Sequence, residues 1–169
     1  MGAGKSTLGR LLASRLECPL VDLDLEIARV HGAIPELFAS LGESGFRAIE
    51  HHQLGQMLPK MARPSVLALG GGAYLQPANR ELLAQHNATV IFLDASFETV
   101  SARVAGSGHQ RPLARDLASL RELYHQRRPI YLQAHHTFLS TEADPMVLLA
   151  SLIQLAGRLG VKVPARDKL

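Results

Sequence analysis

Residues 1–16 read Met-Gly-Ala-Gly-Lys-Ser-Thr-Leu-Gly-Arg-Leu-Leu-Ala-Ser-Arg-Leu, and they are the most informative segment for predicting the fold. It matches the second half of the phosphate-binding loop pattern GxxxxGK[ST], and the leucines after it recur at helical spacing. Glycines let backbone N–H groups converge on phosphate oxygens, and the amino end of a helix attracts negative charge. A glycine-rich turn that only caps a helix is the alternative. The pattern favours a nucleotide site in which Lys5 reaches the phosphates and Ser6 binds Mg²⁺.

The loop pattern is incomplete at its amino end. Its first glycine would fall two residues ahead of Met1, and a strand normally leads into such a loop. Because that strand is usually central in its sheet, we expect the start of the sequence to be truncated. We also expect these 169 residues alone to be poorly stable and poorly active.

Strand and helix patterns alternate along the rest of the chain. This alternation predicts an α/β fold, a parallel sheet with helices on both faces, in which ligands bind beyond the carboxyl ends of the strands. The predicted strands are residues 19–24, 65–69, 89–93 and 137–139. The predicted helices are residues 5–16, 34–41, 44–57, 79–85, 96–105, 117–127 and 145 to about 159, with Ser96 as an N-cap.

Composition excludes several classes of protein. The net charge of +3 is carried entirely by residues 158–169, and aromatic residues make up only 5% with no tryptophan. We therefore expect no nucleic-acid partner. No apolar run is long enough to cross a membrane. A single cysteine, Cys18, excludes an internal disulfide and suits a reducing cytoplasm.

Two acidic residues lie at the carboxyl end of the first predicted strand. Asp22 and Asp24 are two positions apart, so on a strand their side chains would share one face. Such a pair suits both a magnesium ion and a reacting hydroxyl in phosphoryl transfer. The alternative is two solvated loop acids.

An arginine and a glycine run are further candidates for substrate binding. Arg47 and Glu50 are three positions apart on a predicted helix, which fits either a surface ion pair or an arginine that Glu50 holds toward a substrate carboxylate. Residues 70–72 are three glycines directly after a strand, where a ligand could approach the backbone closely.

Two later segments carry arginines that could bind anions. Arg111 lies in a polar loop at residues 106–115, which fits either a mobile lid over phosphates or a solvated loop. Arg127 and Arg128 end a predicted helix, where basic residues commonly interact with the helix dipole. A second anion-binding arginine is the functional alternative.

Taken together and in this order, the segments MGAGKST, VDLD, GESGFRAIE, LGGGA, QRPL and RRPIY resemble the shikimate kinases, from Met1 to about Ala156. The resemblance implies ATP-dependent phosphorylation of the 3-hydroxyl of shikimate by a small cytoplasmic monomer. The implied fold is the P-loop nucleoside-monophosphate-kinase type, a three-layer sandwich whose first strand is absent here. Residues 1–157 would form the kinase domain, with substrate-binding helices at about 25–57 and a lid at about 106–115, and residues 158–169 a basic tail.

The resemblance also implies roles for individual residues. The nucleotide would bind Gly2, Ala3, Gly4, Lys5, Ser6 and Thr7, with Arg103 and Pro145 near the adenine and Arg111 at the phosphates. Magnesium would bind Ser6 and Asp22. Shikimate would bind Asp24, Arg47, Glu50, Gly71, Gly72 and Arg127, and catalysis would depend on Lys5, Asp24 and Arg111.

Two other functions remain open from the sequence. A kinase of another small hydroxylated acid, such as gluconate, could use the same scaffold with different substrate arginines. A shikimate-kinase-like ligand-sensing domain of a transcriptional regulator is the second. The Asp22 and Asp24 pair and the R-x-P-x-Y spacing that begins at Arg127 favour an enzyme.

Overall fold

A computed structural model describes residues 3–106, 116–140 and 145–165 of the chain. Helices alternate with short strands, which confirms the predicted α/β class. The helices are α1 (Lys5–Arg15), α2 (Leu23–His31), α3 (Ile34–Met57), α4 (Pro77–Gln85), α5 (Phe97–Ala105), α6 (Leu117–Tyr131) and α7 (Pro145–Arg158). The strands are β1 (Leu20–Asp22), β2 (Val66–Ala68), β3 (Ile91–Asp94) and β4 (His136–Leu139), and 3₁₀ turns cover Leu58–Lys60 and Ala73–Leu75.

The strands form two separate parallel pairs where a single sheet was predicted. In one pair β1 lies beside β2, with Leu20 opposite Val66 and Asp22 opposite Ala68. In the other pair β3 lies beside β4, with Ile91 opposite His136. Since both pairs are parallel, the carboxyl ends of the two strands within each pair lie at the same edge.

A cavity of about 790 Å³ is lined by residues of both strand pairs. Leu67 of β2 and Ile91 and Leu93 of β3 contribute to its wall. Helices α1 and α7 also line it, through Leu8, Leu12, Leu152 and Leu155. The buried apolar residues divide accordingly, into one cluster around α1, α5 and α7 and another around α2, α3 and α4.

Several helix boundaries have clear local causes. Gly42 has φ 67° and ψ −176°, a left-handed φ that favours glycine, and it kinks α3 between the two helices predicted at 34–41 and 44–57. Ser96 caps α5 by accepting a hydrogen bond from the Thr99 N–H at 3.2 Å, as predicted. Helix α6 runs four residues beyond its predicted end, with Pro129 inside its final turn.

The first strand is shorter than predicted. It ends at Asp22, and α2 begins at the next residue, so the predicted strand at 19–24 was wrong at its carboxyl end. The cause is local, because the side chain of Asp22 caps α2 by accepting hydrogen bonds from two backbone N–H groups of its first turn. Asp24 therefore lies on a helix.

Candidate active site

The predicted phosphate-binding segment contains a glycine with a conformation that other residues rarely adopt. Gly4 has φ 85° and ψ 14° and is the N-cap of α1, so Lys5 and Ser6 lie in the first turn, at the positive end of the helix dipole. The carbonyl of the buried Ala3 accepts a hydrogen bond from Ser140 Oγ at 3.0 Å. Arg103 Nη1 lies 3.4 Å from the same hydroxyl, so α5 and the end of β4 fix the start of the segment. Gly2 lies outside the described residues.

Asp22 and Asp24 are close together, although not in the way that the sequence predicted. Asp22 Oδ1 accepts hydrogen bonds from the N–H groups of Asp24 at 3.0 Å and Leu25 at 3.3 Å. The prediction that both side chains share one strand face is wrong, because the strand ends at Asp22. Burial and the Asp22 charge raise the pKa of Asp24, while Lys5 and Arg47 lower it. Asp24 thus lies within the electrostatic reach of both basic residues.

Arg47 is held by a buried carboxylate. Its Nη1 donates to Glu50 Oε2 at 2.9 Å, and Gln76 Nε2 donates to the same oxygen at 2.8 Å. The Glu50 side chain is fully buried, and its Oε1 has no hydrogen-bond partner among the described residues. Burial raises the pKa of Glu50, and Arg47 opposes that rise. A simple surface ion pair does not describe this arrangement, because Arg47 is itself largely buried.

The other edge of the Arg47 guanidinium contacts Glu43, which is not among the predicted site residues. Nε and Nη2 both donate to Glu43 Oε1, at 3.3 and 3.1 Å. Glu43 and Arg47 are four positions apart on α3, a spacing at which charged side chains on a helix meet. This spacing was the signal that could have identified Glu43.

The glycines after β2 make room for side chains of the protein itself. A Cβ atom on Gly70 would overlap the Asp24 carboxylate, and one on Gly72 would overlap the Arg47 guanidinium. From the sequence, these glycines are predicted to admit a ligand. Their close contacts with Asp24 and Arg47 give two of them another physical reason to lack a side chain.

Helix α6 supplies two neighbouring arginines with different surroundings. Arg127 is buried, and it interacts with the Tyr131 hydroxyl, which donates to the Gly71 carbonyl. Arg128 instead pairs with the buried Asp94, with Nε 3.1 Å from Oδ1 and Nη2 2.6 Å from Oδ2.

Tyr131 connects the arginine positions. Burial raises its pKa, while Arg127 and Arg47 lower it, so both positive charges lie near the phenol. Its place four residues after Arg127 was visible in the R-x-P-x-Y spacing, although that spacing does not predict a role for the tyrosine.

The remaining predicted site residues are placed as follows. Thr7 and Ser6 are exposed on the first turns of α1, and Pro145 is the first residue of α7. Arg111 lies outside the described residues, as does residue range 107–115 of the predicted lid. Within residues 3–106, 116–140 and 145–165, no three His, Cys, Asp or Glu side chains are grouped as a metal site.

Comparison with known proteins identifies the family. The shikimate kinase family profile matches residues 1–156. The chain belongs to the shikimate kinase family. Among curated shikimate kinases, it is 47% identical over 135 residues to that of Thiobacillus denitrificans, covering 78% of this chain and 72% of the relative. It is 38% identical over 157 residues to that of Paracidovorax citrulli, covering 90% and 84%.

Solved shikimate kinases share the fold. A structure of the Acinetobacter baumannii enzyme in complex with shikimate is 37% identical, with a TM-score of 0.85 over 96% of this chain and 91% of that one. The Bacteroides thetaiotaomicron enzyme is 30% identical, with a TM-score of 0.81 over 95% and 94%. The chain is accordingly a kinase that phosphorylates shikimate with ATP as the phosphoryl donor, as the shikimate kinase family does. None of the described helices is long and apolar enough to cross a membrane.

Proposed function

We propose that Asp24 is the proton acceptor of this shikimate kinase and that Arg47 and Arg127 bind the carboxylate of shikimate beside it. The observation that carries this proposal is the position of Asp24, whose carboxylate packs against Gly70 while the Arg47 guanidinium packs against Gly72. Lys5 and Arg47 both oppose the rise that burial causes in the pKa of Asp24. A hydroxyl placed at Asp24 would therefore lie between the site for the phosphates and the site for the acid.

The reaction is a direct transfer in line between two oxygens. The 3-hydroxyl of shikimate attacks the γ-phosphorus of ATP, its proton passes to Asp24, and the bond to the β,γ-bridging oxygen breaks to release ADP. Because burial raises the pKa of Asp24, its carboxylate is a stronger base than that of an exposed aspartate. Lys5 and Arg111 stabilise the charge that develops on the transferred group.

Binding of the shikimate carboxylate aligns the substrate for the reaction. Glu50 holds one edge of Arg47 from a buried position, and Tyr131 connects Arg127 to the Gly71 carbonyl. Gly71 and Gly72 form the turn that lies against these groups. Two fixed guanidiniums orient the ring of shikimate, so that much of the rate enhancement comes from proximity.

The oxygen donors present fit a magnesium ion. Mg²⁺ prefers one or two protein oxygens together with phosphate oxygens and water. Ser6 and Asp22 are the residues that would hold it, and Asp22 keeps its Oδ2 clear of the two hydrogen bonds that cap α2. When bound, the ion would neutralise charge on the β- and γ-phosphates.

The remaining parts of the proposal concern the nucleotide contacts, the cellular location and the oligomeric state. Gly2, Ala3, Gly4 and Thr7 bind the phosphates, and Arg103 and Pro145 lie near the adenine. The protein acts as a cytoplasmic monomer without a nucleic-acid or membrane partner. The single cysteine and the confinement of the net positive charge to residues 158–169 support this part of the proposal.

Replacement of Asp24 tests the proposal. Asp24→Asn is expected to lower kcat by about 10²-fold or more, because it removes the proton acceptor. Calorimetry should still detect binding of shikimate and of ADP, since Arg47 and the phosphate-binding segment are unchanged. Gluconate in place of shikimate should give little turnover with the unmodified protein. Retained turnover in Asp24→Asn, or equal use of gluconate, would contradict the proposal.

A further inference from the structure

Arg47 has two carboxylate partners that differ strongly in exposure. The Glu50 side chain is 1% exposed, whereas the Glu43 side chain is 49% exposed. Glu50 is fixed further by the hydrogen bond from Gln76. Glu43 therefore occupies the side of the guanidinium that solvent, and hence a ligand, can reach.

Glu43 binds the guanidinium edge of Arg47 with only one of its two carboxylate oxygens. Nε and Nη2 both donate to one oxygen, Oε1, at 3.3 and 3.1 Å. A carboxylate that binds such an edge with both of its oxygens makes two parallel hydrogen bonds and is held more strongly. A free carboxylate arriving at this edge can make a better contact than Glu43 makes.

We propose that Glu43 is an internal competitor for the substrate carboxylate. It covers the Nε and Nη2 edge of Arg47 in the absence of substrate, and it leaves that edge when the acid binds. This inference rests on the proposed function, in which Arg47 receives the carboxylate of shikimate. Glu43 thus sets the affinity of the site for small acids without touching the reacting atoms.

The local backbone fits such an exchange. Glu43 directly follows Gly42, where φ of 67° and ψ of −176° interrupt the helical conformation of α3. The Glu43 side chain next to this break is 49% exposed, so about half of its surface already faces solvent. Ion pairs with a solvent-exposed carboxylate at this helical spacing contribute little to stability, so the cost of losing the Glu43 contact is small.

Removal of Glu43 is the test. Glu43→Ala is expected to lower the KM for shikimate by about two- to fivefold, since both the competing hydrogen bonds and the repulsion of the incoming carboxylate disappear. The KM for ATP and kcat should stay within about twofold. Glu43→Gln, which removes only the charge, should give a smaller decrease. Glu81→Ala, at an exposed glutamate on α4, is the matched control and should leave the KM for shikimate unchanged.

A double-mutant cycle separates competition from other effects. In an Arg47→Ala background, Glu43→Ala should no longer improve shikimate binding, because the contested edge is gone. An unchanged or increased KM in Glu43→Ala would overturn the inference, and an increase would mean that Glu43 braces Arg47. Failure of the unmodified protein to bind shikimate in calorimetry would overturn the proposed function itself. Normal shikimate binding that Glu43→Ala leaves unaltered would overturn this inference alone.

Discussion

At the scale of single residues, the absence of a side chain at Gly72 makes room for the side chain of Arg47. The guanidinium of Arg47 occupies the space in which a Cβ on Gly72 would stand. The backbone of Gly72 has φ −109°, which any residue can adopt, so backbone strain does not require glycine here. The requirement comes from the side chain of Arg47.

Gly72→Ala is therefore expected to impair binding more than stability. The guanidinium is the end of a flexible side chain and can move away, but it would then leave the position that Glu50 holds. We expect the KM for shikimate to rise by about tenfold, which corresponds to loss of a charge-assisted hydrogen bond, with a small change in Tm. Steady-state kinetics with each substrate and a thermal melt measure both effects.

Gly55→Ala is the control for this substitution. Gly55 lies inside α3, and a Cβ on it would lie 3.6 Å from Leu82 Cδ1 of α4, an ordinary van der Waals contact. It should preserve the KM for shikimate and maintain or increase Tm, since alanine favours helices. An unchanged KM in Gly72→Ala would show that Arg47 does not need its observed position.

At the scale of elements, α6 presents neighbouring arginines to different parts of the molecule. Arg127 faces Tyr131 and the glycine turn, whereas Arg128 pairs with Asp94 at the end of β3. Arg127→Ala should raise the KM for shikimate by about tenfold or more, through loss of a charged partner for the carboxylate. Arg128→Ala should instead lower the free energy of unfolding by about 1–3 kcal/mol, because Asp94 remains buried without its partner.

Kinetics and denaturant unfolding on both variants check this division. Each variant serves as the control for the other, since the substitutions are identical and adjacent. The opposite pattern, with Arg128→Ala affecting the KM and Arg127→Ala only the stability, would show that the residues had been assigned in the wrong order.

The elements also show which features the sequence could predict. The periodicity of the leucines placed α1 to within one residue, and the Ser96 cap placed the start of α5. The start of α2 was missed because the apolar run Pro19-Leu20-Val21, followed by acidic residues, is typical of a short buried strand. Yet Asp22 as a cap, with Asp24 and Glu26 in the first turn, is also a helix-start signal. Both patterns were present, and the hydrogen bonds of the Asp22 side chain decided between them.

The candidate site was predictable where its contacts are local in sequence. The Arg47 and Glu50 contact follows from helical spacing, and so does the contact with Glu43. In contrast, the bond from Gln76 to Glu50 spans 26 residues and that from Tyr131 to Gly71 spans 60. Such contacts depend on how α3, α6 and the glycine turn pack together, which no local pattern encodes.

At the scale of the whole molecule, the cavity between the strand pairs has the form of a space for another strand. Val66 donates its N–H to the Pro19 carbonyl, and the N–H of Ser140 bonds to the Asp94 carbonyl. Because backbone groups alternate in direction along a strand, those of Leu67, Ile91 and Leu93 point away from β1 and β4. In the described part of the chain, no third strand joins either pair. The open edges of β2 and β3 thus both contribute to the same apolar cavity.

An added strand is therefore expected to stabilise the protein. A segment of about five apolar, β-branched residues attached ahead of Met1 could pair with the edges of β2 and β3 and be covered by α1 and α7. Burial of several such side chains contributes several kcal/mol, which corresponds to an increase in Tm of about 10 °C or more. A thermal melt of the extended and the unextended protein measures it.

A control extension distinguishes strand formation from a general effect of added length. A segment of equal length with proline at its centre and charged residues beside it can neither complete the ladder nor occupy the apolar cavity. It should leave Tm unchanged. Equal melting temperatures for both extensions would show that the cavity does not accept a strand. An increase in Tm with the apolar extension alone, together with higher turnover of shikimate, would support strand formation. It would also show that the geometry of the phosphate-binding segment depends on the strand beside it.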